Sequence, residues 1–413
     1  MNIKPFRGLR PSAEQVREIA SRPYDVISSE EARIEASTSP LSFLNVVKPE
    51  ITLAQDIDPY DNRVYEAGKR NFQKLLDEGV FARDKQECLY IYELIMDGHS
   101  QTGIVACAWI DDYLQDRIRK HELTRPDKEN DRKKHIRVSM INAEPVFFAY
   151  RSVNILDRIV EQVKNKKPVY DFAAVDGIVH RLWVVDNHNT VNEIVQEFVK
   201  IPQTYVADGH HRTAAAALVG EDLRQEDPGH RGDEEYNYFL AVHFPDNQLQ
   251  IIDYNRVVRD LNGHDPASFI KALSGAFEIK SKGRESYRPE TLHEMGMYLD
   301  SQWYALRAKP VTFDDTDPVG VLDVTILSKQ ILEPVLNITD LRTDKRIEFV
   351  GGIRGLQELE KRVDSGEMAV AFAMFPVTMQ QLMDIADSGN IMPPKTTWFE
   401  PKLRSGLVVH SLV

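Results

Sequence analysis

Two hydrophobic periods take turns along this chain, and the places where one gives way to the other outline its elements. "CLYIYELIM" (88–96), "TGIVACAWI" (102–110), "AEPVFFAYR" (143–151), "HRLWVVD" (180–186) and "YNYFLAVHFP" (236–245) are short apolar runs rich in β-branched and aromatic residues, and they predict strands. "DGHSQ" (97–101) joins the first two as a hairpin. "LSFLNVV" (41–47) reads as a further strand. A helical period appears in "YDNRVYEAGKRNFQKLLDEGVF" (60–81), with Val64, Ala67, Phe72, Leu75 and Leu76 on one side and Gly79 as the stop. "SSEEARIEAS" (28–37) starts a helix capped by Ser28 or Ser29, and "NTVNEIVQEFVK" (189–200) is another helix. "TYVADGHHRTAAAALVG" (204–220) passes from strand through turn to helix. The polar segment 221–235 has no apolar period and is expected to be a mobile surface loop.

Past residue 260 the pattern changes, and helices and strands alternate without a glycine fingerprint of their own. The expected class is α+β, with an N-terminal region over 1–259 and a C-terminal α+β subdomain over 260–413. The closing "MPPKTTWFEPKLRSGLVVH" (392–410) spends Trp398 and Phe399 in a way a disordered tail would not, so it is expected to be packed.

A length of 413 residues exceeds what one ordinary core needs. There is no signal-peptide pattern and no run of 18 apolar residues, so secretion and membrane spanning lose support. Cys88 and Cys107 are the only cysteines, which fits a reducing cytoplasm and excludes a disulfide framework. The formal net charge of −13 argues against a nucleic-acid partner. Against that acidic background, residues 117–137 carry nine Lys or Arg and four Asp or Glu, a local surplus that would draw a phosphorylated ligand. The bland alternative for this stretch is a salt-bridged surface helix with Glu129 and Lys133 at i, i+4.

The densest candidate chemistry is Asp208-Gly209-His210-His211-Arg212-Thr213, set between strand and helix. N–H groups at a helix start bind phosphate oxygens, and Arg212 adds a charged fork. Asp208 could hold a divalent metal, orient His210 or accept a hydroxyl. Adjacent histidines do not suit one tetrahedral zinc. The second candidate is "KHELTRP" (120–126), where Glu122 beside His121 could act as a base toward an alcohol. Arg125, Lys128 and Arg132 are the cations placed to screen a nucleotide. Arg22, Tyr24 and Asp25, and Lys395 and Lys402, are weaker candidates held in direction by neighbouring prolines. The phosphate loop of NTPases, the dinucleotide glycine fingerprint and the lipase elbow are all missing.

"KPFRGLRP", "SRPYDV", "YIYEL", "KHELTRPDKENDR", "ADGHHR" and "PPKTTWFEPKL" together resemble the DUF1015 family over nearly the full length. The pair of "HE" and a later "DGHHR" is similar to the ParB/sulfiredoxin-like fold, in particular its free-serine kinases. That resemblance implies Glu122 and His121 as the catalytic pair. It also implies Asp208, Gly209, His210, His211 and Arg212 as the phosphate-side turn. With it come ATP or ADP as donor, Mg2+ with Asp208 as a ligand, and a serine-like acceptor, in a cytoplasmic protein that leaves a homodimer open. Some 85 residues separate the two motifs, longer than expected in the small kinases. No cysteine stands where the sulfiredoxin turn uses one, which removes sulfinic-acid repair. Two alternatives remain: a phosphate or nucleotide hydrolase, and a non-catalytic nucleotide-binding or regulatory protein.

Overall fold

The five apolar runs between residues 88 and 245 become strands of a single mixed sheet. In the computed structural model, which describes residues 1–413, the chain divides into two units, Met1–Leu249 with Pro401–Val413, and Gln250–Glu400. The expected single boundary at 259/260 is thus replaced by two, at 249/250 and 400/401, because the closing segment returns to the first unit. Leu9 pairs with Val409, and Ser21 with Ser405, in backbone bridges.

The sheet of the first unit comprises β1 (Ile3–Lys4), β2 (Leu89–Met96), β3 (His99–Trp109), β4 (Ile118–Arg119), β5 (Val146–Tyr150), β6 (Tyr170–Ala173), β7 (Val179–Val185), β8 (Thr204–Asp208) and β9 (Tyr238–Pro245). Their order is β4-β8-β5-β9-β3-β2-β7-β6, with β1 also on β3. Most pairs are antiparallel, whereas β4–β8 and β5–β9 run parallel. The β2–β3 hairpin turns through Asp97 and Gly98, both at positive φ (50° and 80°), as a two-residue turn of its hand requires.

The helices of this unit include α1 (Ser29–Ala36), α2 (Leu44–Val47), α3 (Asn62–Asp77), α4 (Pro126–Ser139), α5 (Asn154–Lys164), α6 (His188–Val199) and α7 (His210–Glu226). Ile91, Ile104, Ala106, Phe148, Val206 and Ala241 from one sheet face join Leu156, Ile194, Phe198, Ala215 and Val219 from α5, α6 and α7 in the main core. The alanines of α7 bring its backbone close to its neighbours: a Cβ on Gly220 would lie 2.3 Å from the Tyr236 carbonyl. A second core gathers Phe43, Phe72 and Phe81 with Leu44, Val46 and Val47. Ser28 and Glu31 form the capping box of α1, as the sequence suggested.

Three local expectations need correction. "LSFLNVV" is no strand: Leu44–Val47 form a short helix whose apolar side chains all face the second core. Residues 221–226 are the last turns of α7, held where Arg224 bonds Asp111 and Asn237. Residues beyond them are tied down as well, since the Glu234 carboxylate accepts from the backbone N–H groups of Arg231 and Gly232. The Glu129–Lys133 pair does not form either, because Glu129 accepts from Thr124 and Lys133 reaches Asp222.

The second unit holds an antiparallel sheet of β10 (Tyr254–Val258), β11 (Phe277–Gly283), β12 (Glu294–Leu299), β13 (Gln302–Ala308), β14 (Ile347–Gly351) and β15 (Val370–Ala373), in the order β11-β13-β12-β15-β10-β14. α8 (Leu356–Asp364) packs Leu356 and Leu359 against Val257, Trp303 and Ala371. Both units mix sheets and helices, so the α+β class holds. None of the helices is long and apolar enough to cross a membrane.

Candidate functional site

A single residue, Gly209, separates the end of β8 from the start of α7, and the sequence there dictates the geometry. A register shift between Val206 and Asp208 bends the strand. Gly209 then takes φ 92° and ψ 36°, a left-handed conformation that side chains disfavour. As N-cap, Gly209 has no side chain to satisfy the first N–H groups of a 17-residue helix, and its carbonyl accepts from the Thr213 hydroxyl at 3.0 Å. This is the local form of an anion-binding helix start.

Asp208 stands between two cations. Arg212 Nη2 donates to its Oδ2 at 2.9 Å, and Lys402 Nζ donates to its Oδ1 at 3.2 Å. Desolvation alone would raise this carboxyl, but Lys402 and Arg212 outweigh it and hold it well below the usual carboxylate range. Arg212 itself is buried. Its Nη1 donates to the Pro145 carbonyl at 2.7 Å, and its Nη2 lies 3.5 Å from Asp25. Arg212 is therefore turned inward, gripping three segments, rather than spread across the mouth of the turn.

The His-Glu segment arrives alongside. β4 runs parallel to β8, which carries residues 120–126 to the same end of the sheet as Asp208. His121 and His210 meet edge to face with ring centroids 4.5 Å apart, and both are buried. Burial lowers His121 to about 4 and pushes His210 well below its ordinary value, so both rings are neutral at pH 7. The Arg125 backbone N–H donates to His211 Nε2 at 3.0 Å, a second tie between the motifs. Glu122, half-buried, sits between these two contacts in sequence.

A buried charge hub supports the turn. Glu144 accepts from the Tyr24 N–H at 3.0 Å and the Ser405 hydroxyl at 3.2 Å. Arg132 stacks on the Tyr24 ring at 3.9 Å, is bonded to Asp131 at 2.7 Å and lies 3.7 Å from Glu144. Tyr65 donates to the other oxygen of Asp131 at 2.8 Å. Burial raises the Glu144 carboxyl, with Arg212 and Arg132 pulling against it.

Of the residues singled out in the sequence, the structure brings together His121, Asp208, Gly209, His210, His211, Arg212 and Thr213, with Tyr24, Asp25 and Lys402. Arg132 lies behind them in the hub. The side chains of Arg125 and Lys128 are engaged elsewhere, with Asp127 at 2.8 Å and the Tyr60 hydroxyl at 2.8 Å. Arg22 pairs with Glu35. Glu144 is not marked by any motif, although an acid two residues before a wholly apolar strand in "AEPVFFAY" is a usable signal. No group of three or more His, Cys, Asp or Glu side chains is arranged to hold a metal ion, and both oxygens of Asp208 already face cations. The donor set does not fit the expected divalent ion on Asp208.

A family profile described as a protein of unknown function (DUF1015) matches residues 3–325. The chain belongs to the DUF1015 family. The match includes the turn after β8, the His-Glu segment and Glu144 of this DUF1015 protein. No curated protein sequence matches the chain. Among solved structures, this DUF1015 chain is similar to a conserved hypothetical protein from Pyrococcus furiosus at 14% identity and a TM-score of 0.36, covering 73% of this chain and 93% of that one. It is similar to SbnI with a C-terminal truncation from Staphylococcus aureus at 11% identity and a TM-score of 0.38, over 72% and 82% of the two chains. A free serine kinase in complex with AMP aligns at 12% identity and a TM-score of 0.34, over 71% and 86%.

Proposed function

We propose that the first unit is a cytoplasmic phosphotransferase that moves a phosphoryl group from ATP or ADP to a small hydroxylated metabolite, with free L-serine the leading acceptor. The observation that carries this reading is the meeting of two chemically different motifs at one strand end. His121 lies edge to face on His210, 4.5 Å away, beside a glycine-initiated helix start. The N–H groups from His210 to Arg212 would receive the donor's phosphates, the Thr213 N–H being bonded to the Gly209 carbonyl at 2.9 Å. Lys402, with its side chain 13% exposed, would contribute positive charge next to them. Arg212 acts as a positioning residue that holds Asp208 and the 144–145 segment in place. Glu122 would orient or deprotonate the acceptor hydroxyl, and neutral His121 and His210 would leave its negative charge undiminished. Magnesium, where it accompanies the nucleotide, would arrive on the phosphates rather than on Asp208.

Calorimetric titration of ADP and ATP into the full chain and its Glu122→Gln variant tests the reading. Affinity is expected to change by less than about threefold, or about 0.7 kcal/mol, between them, while turnover disappears in the variant. Failure of both nucleotides to bind the unaltered protein would reject the proposal.

A further inference from the structure

Four arginines are buried, and three of them meet a carboxylate: Arg132 on Asp131, Arg212 on Asp208 and Arg404 on Asp176. Arg256, in the second unit, is the exception. It is 1% exposed and stands on β10 between Phe349 of β14 and Phe372 of β15. Asp253, just before β10, is bonded to Arg288, and Glu348 of β14 to Arg259 and Arg362. Burial pushes the Arg256 guanidinium down to about 10, with no acid to raise it and only Tyr254 pulling the other way. It is therefore still a cation at pH 7, in a place that an apolar side chain of similar bulk would fill at lower cost.

Its hydrogen bonds go to main chain alone. Nη1 donates to the Tyr254 carbonyl, and Nη2 donates to the Lys395 carbonyl at 2.9 Å. The guanidinium lies 5.4 Å from the centre of the Phe349 ring. The Lys395 carbonyl is presented by a strained turn. Lys395 takes φ 59°, a left-handed conformation that its side chain disfavours, and Thr396 Oγ1 closes the turn on the Pro393 carbonyl at 2.7 Å. A neutral carbonyl is a weak partner for a buried cation. A carboxylate or phosphate oxygen bonds the same planar fork roughly twice as strongly and can do so through two parallel bonds. Lys395 is exposed, so an anion that displaces its carbonyl enters from the surface.

We propose that Arg256 and the turn at 393–397 form an oxyanion site of the second unit, in which a carboxylate or phosphate oxygen takes the place of the Lys395 carbonyl on the guanidinium. Titration of the full chain with inorganic phosphate and, separately, with acetate tests it, followed on the side-chain Nε–H resonances of protein labelled with nitrogen-15 arginine. The Arg256 resonance is the one missing from Arg256→Lys. At least one of the two anions is expected to shift it saturably, and chloride at equal ionic strength to leave it still. A response to phosphate alone would make the ligand a phosphoryl compound, and a response to acetate a carboxylate. The same anion is expected to raise the urea midpoint of the unaltered protein and to lose that effect in Arg256→Met, which keeps the bulk and removes the charge. The site is overturned if neither anion moves the resonance, if chloride moves it equally, or if Arg256→Met keeps the full stabilisation by the anion. A still resonance together with a lower midpoint for Arg256→Met would make Arg256 a clamp on the turn and nothing more.

Discussion

Gly209 has two reasons to be glycine, and they act on the same neighbour. Its φ of 92° strains any residue with a side chain, and a Cβ there would come within 3.1 Å of Arg212 Nε. Gly209→Ala is therefore expected to cost about 1–2 kcal/mol of stability. It should also weaken ADP binding more than about tenfold, because the displaced guanidinium releases Asp208. Chemical denaturation and calorimetry on the same preparation measure both. A variant that loses stability but keeps full nucleotide affinity would mean that the turn is structural only. At this scale the sequence made the polar residues of the turn legible but hid their direction. Arg212 reads as a fork offered to a ligand, yet its partners are Asp25, Asp208 and the Pro145 carbonyl. Those partners lie between 4 and 187 residues away, and no local pattern encodes them.

At the scale of elements, the legible parts were those whose period is long enough to be unambiguous. α3 and the β2–β3 hairpin announce themselves through 16 residues of helical period and an Asp-Gly turn. The four residues of α2 are too few to show a period, and burial of Leu44, Val46 and Val47 makes them resemble a strand. α4 misled differently. Its charges suggested a solvated face, but Asp131, Arg132 and His135 are buried, with Tyr65 and Arg132 bonded to Asp131 and the Val46 carbonyl bonded to His135. The fit of α7 against Tyr236 is a further element-scale property. Gly220→Ala, whose Cβ would meet the Tyr236 carbonyl at 2.3 Å, is expected to cost about 1–3 kcal/mol. The change should appear as a lower urea midpoint at constant slope. An unchanged midpoint would show that α7 can slide.

Across the whole molecule, buried histidines make stability depend on pH. Burial lowers His121 and His135 to about 4, and His180 and His243 to about 3, from an ordinary 6.5. The unfolded chain takes up protons at these rings as pH falls through 6.5, while the folded chain does not. Stability is therefore full above 6.5 and is lost as pH drops toward the folded values. From pH 6.5 to 5 the loss is on the order of 2 kcal/mol for each histidine. For four histidines this is on the order of 8 kcal/mol, comparable with a typical total stability of roughly 5–15 kcal/mol. Thermal melts from pH 7.5 to 5 should show a steep fall in Tm below 6.5, and a flat profile would contradict the buried, neutral assignment.

The division of the chain was only partly legible for a related reason. A change of pattern near residue 260 marks the second unit, but backbone pairing of Ser405 and Val409 with the N-terminal segments leaves no signature in a linear sequence. Phosphorus NMR reads out the chemistry of the site that this return completes with Lys402. The purified chain would be incubated with magnesium and ATP or ADP, each with and without L-serine. The expected result is a phosphomonoester resonance that requires serine and is lost in Glu122→Gln. Donor consumption without serine, or donors that persist unchanged in every mixture, would contradict it.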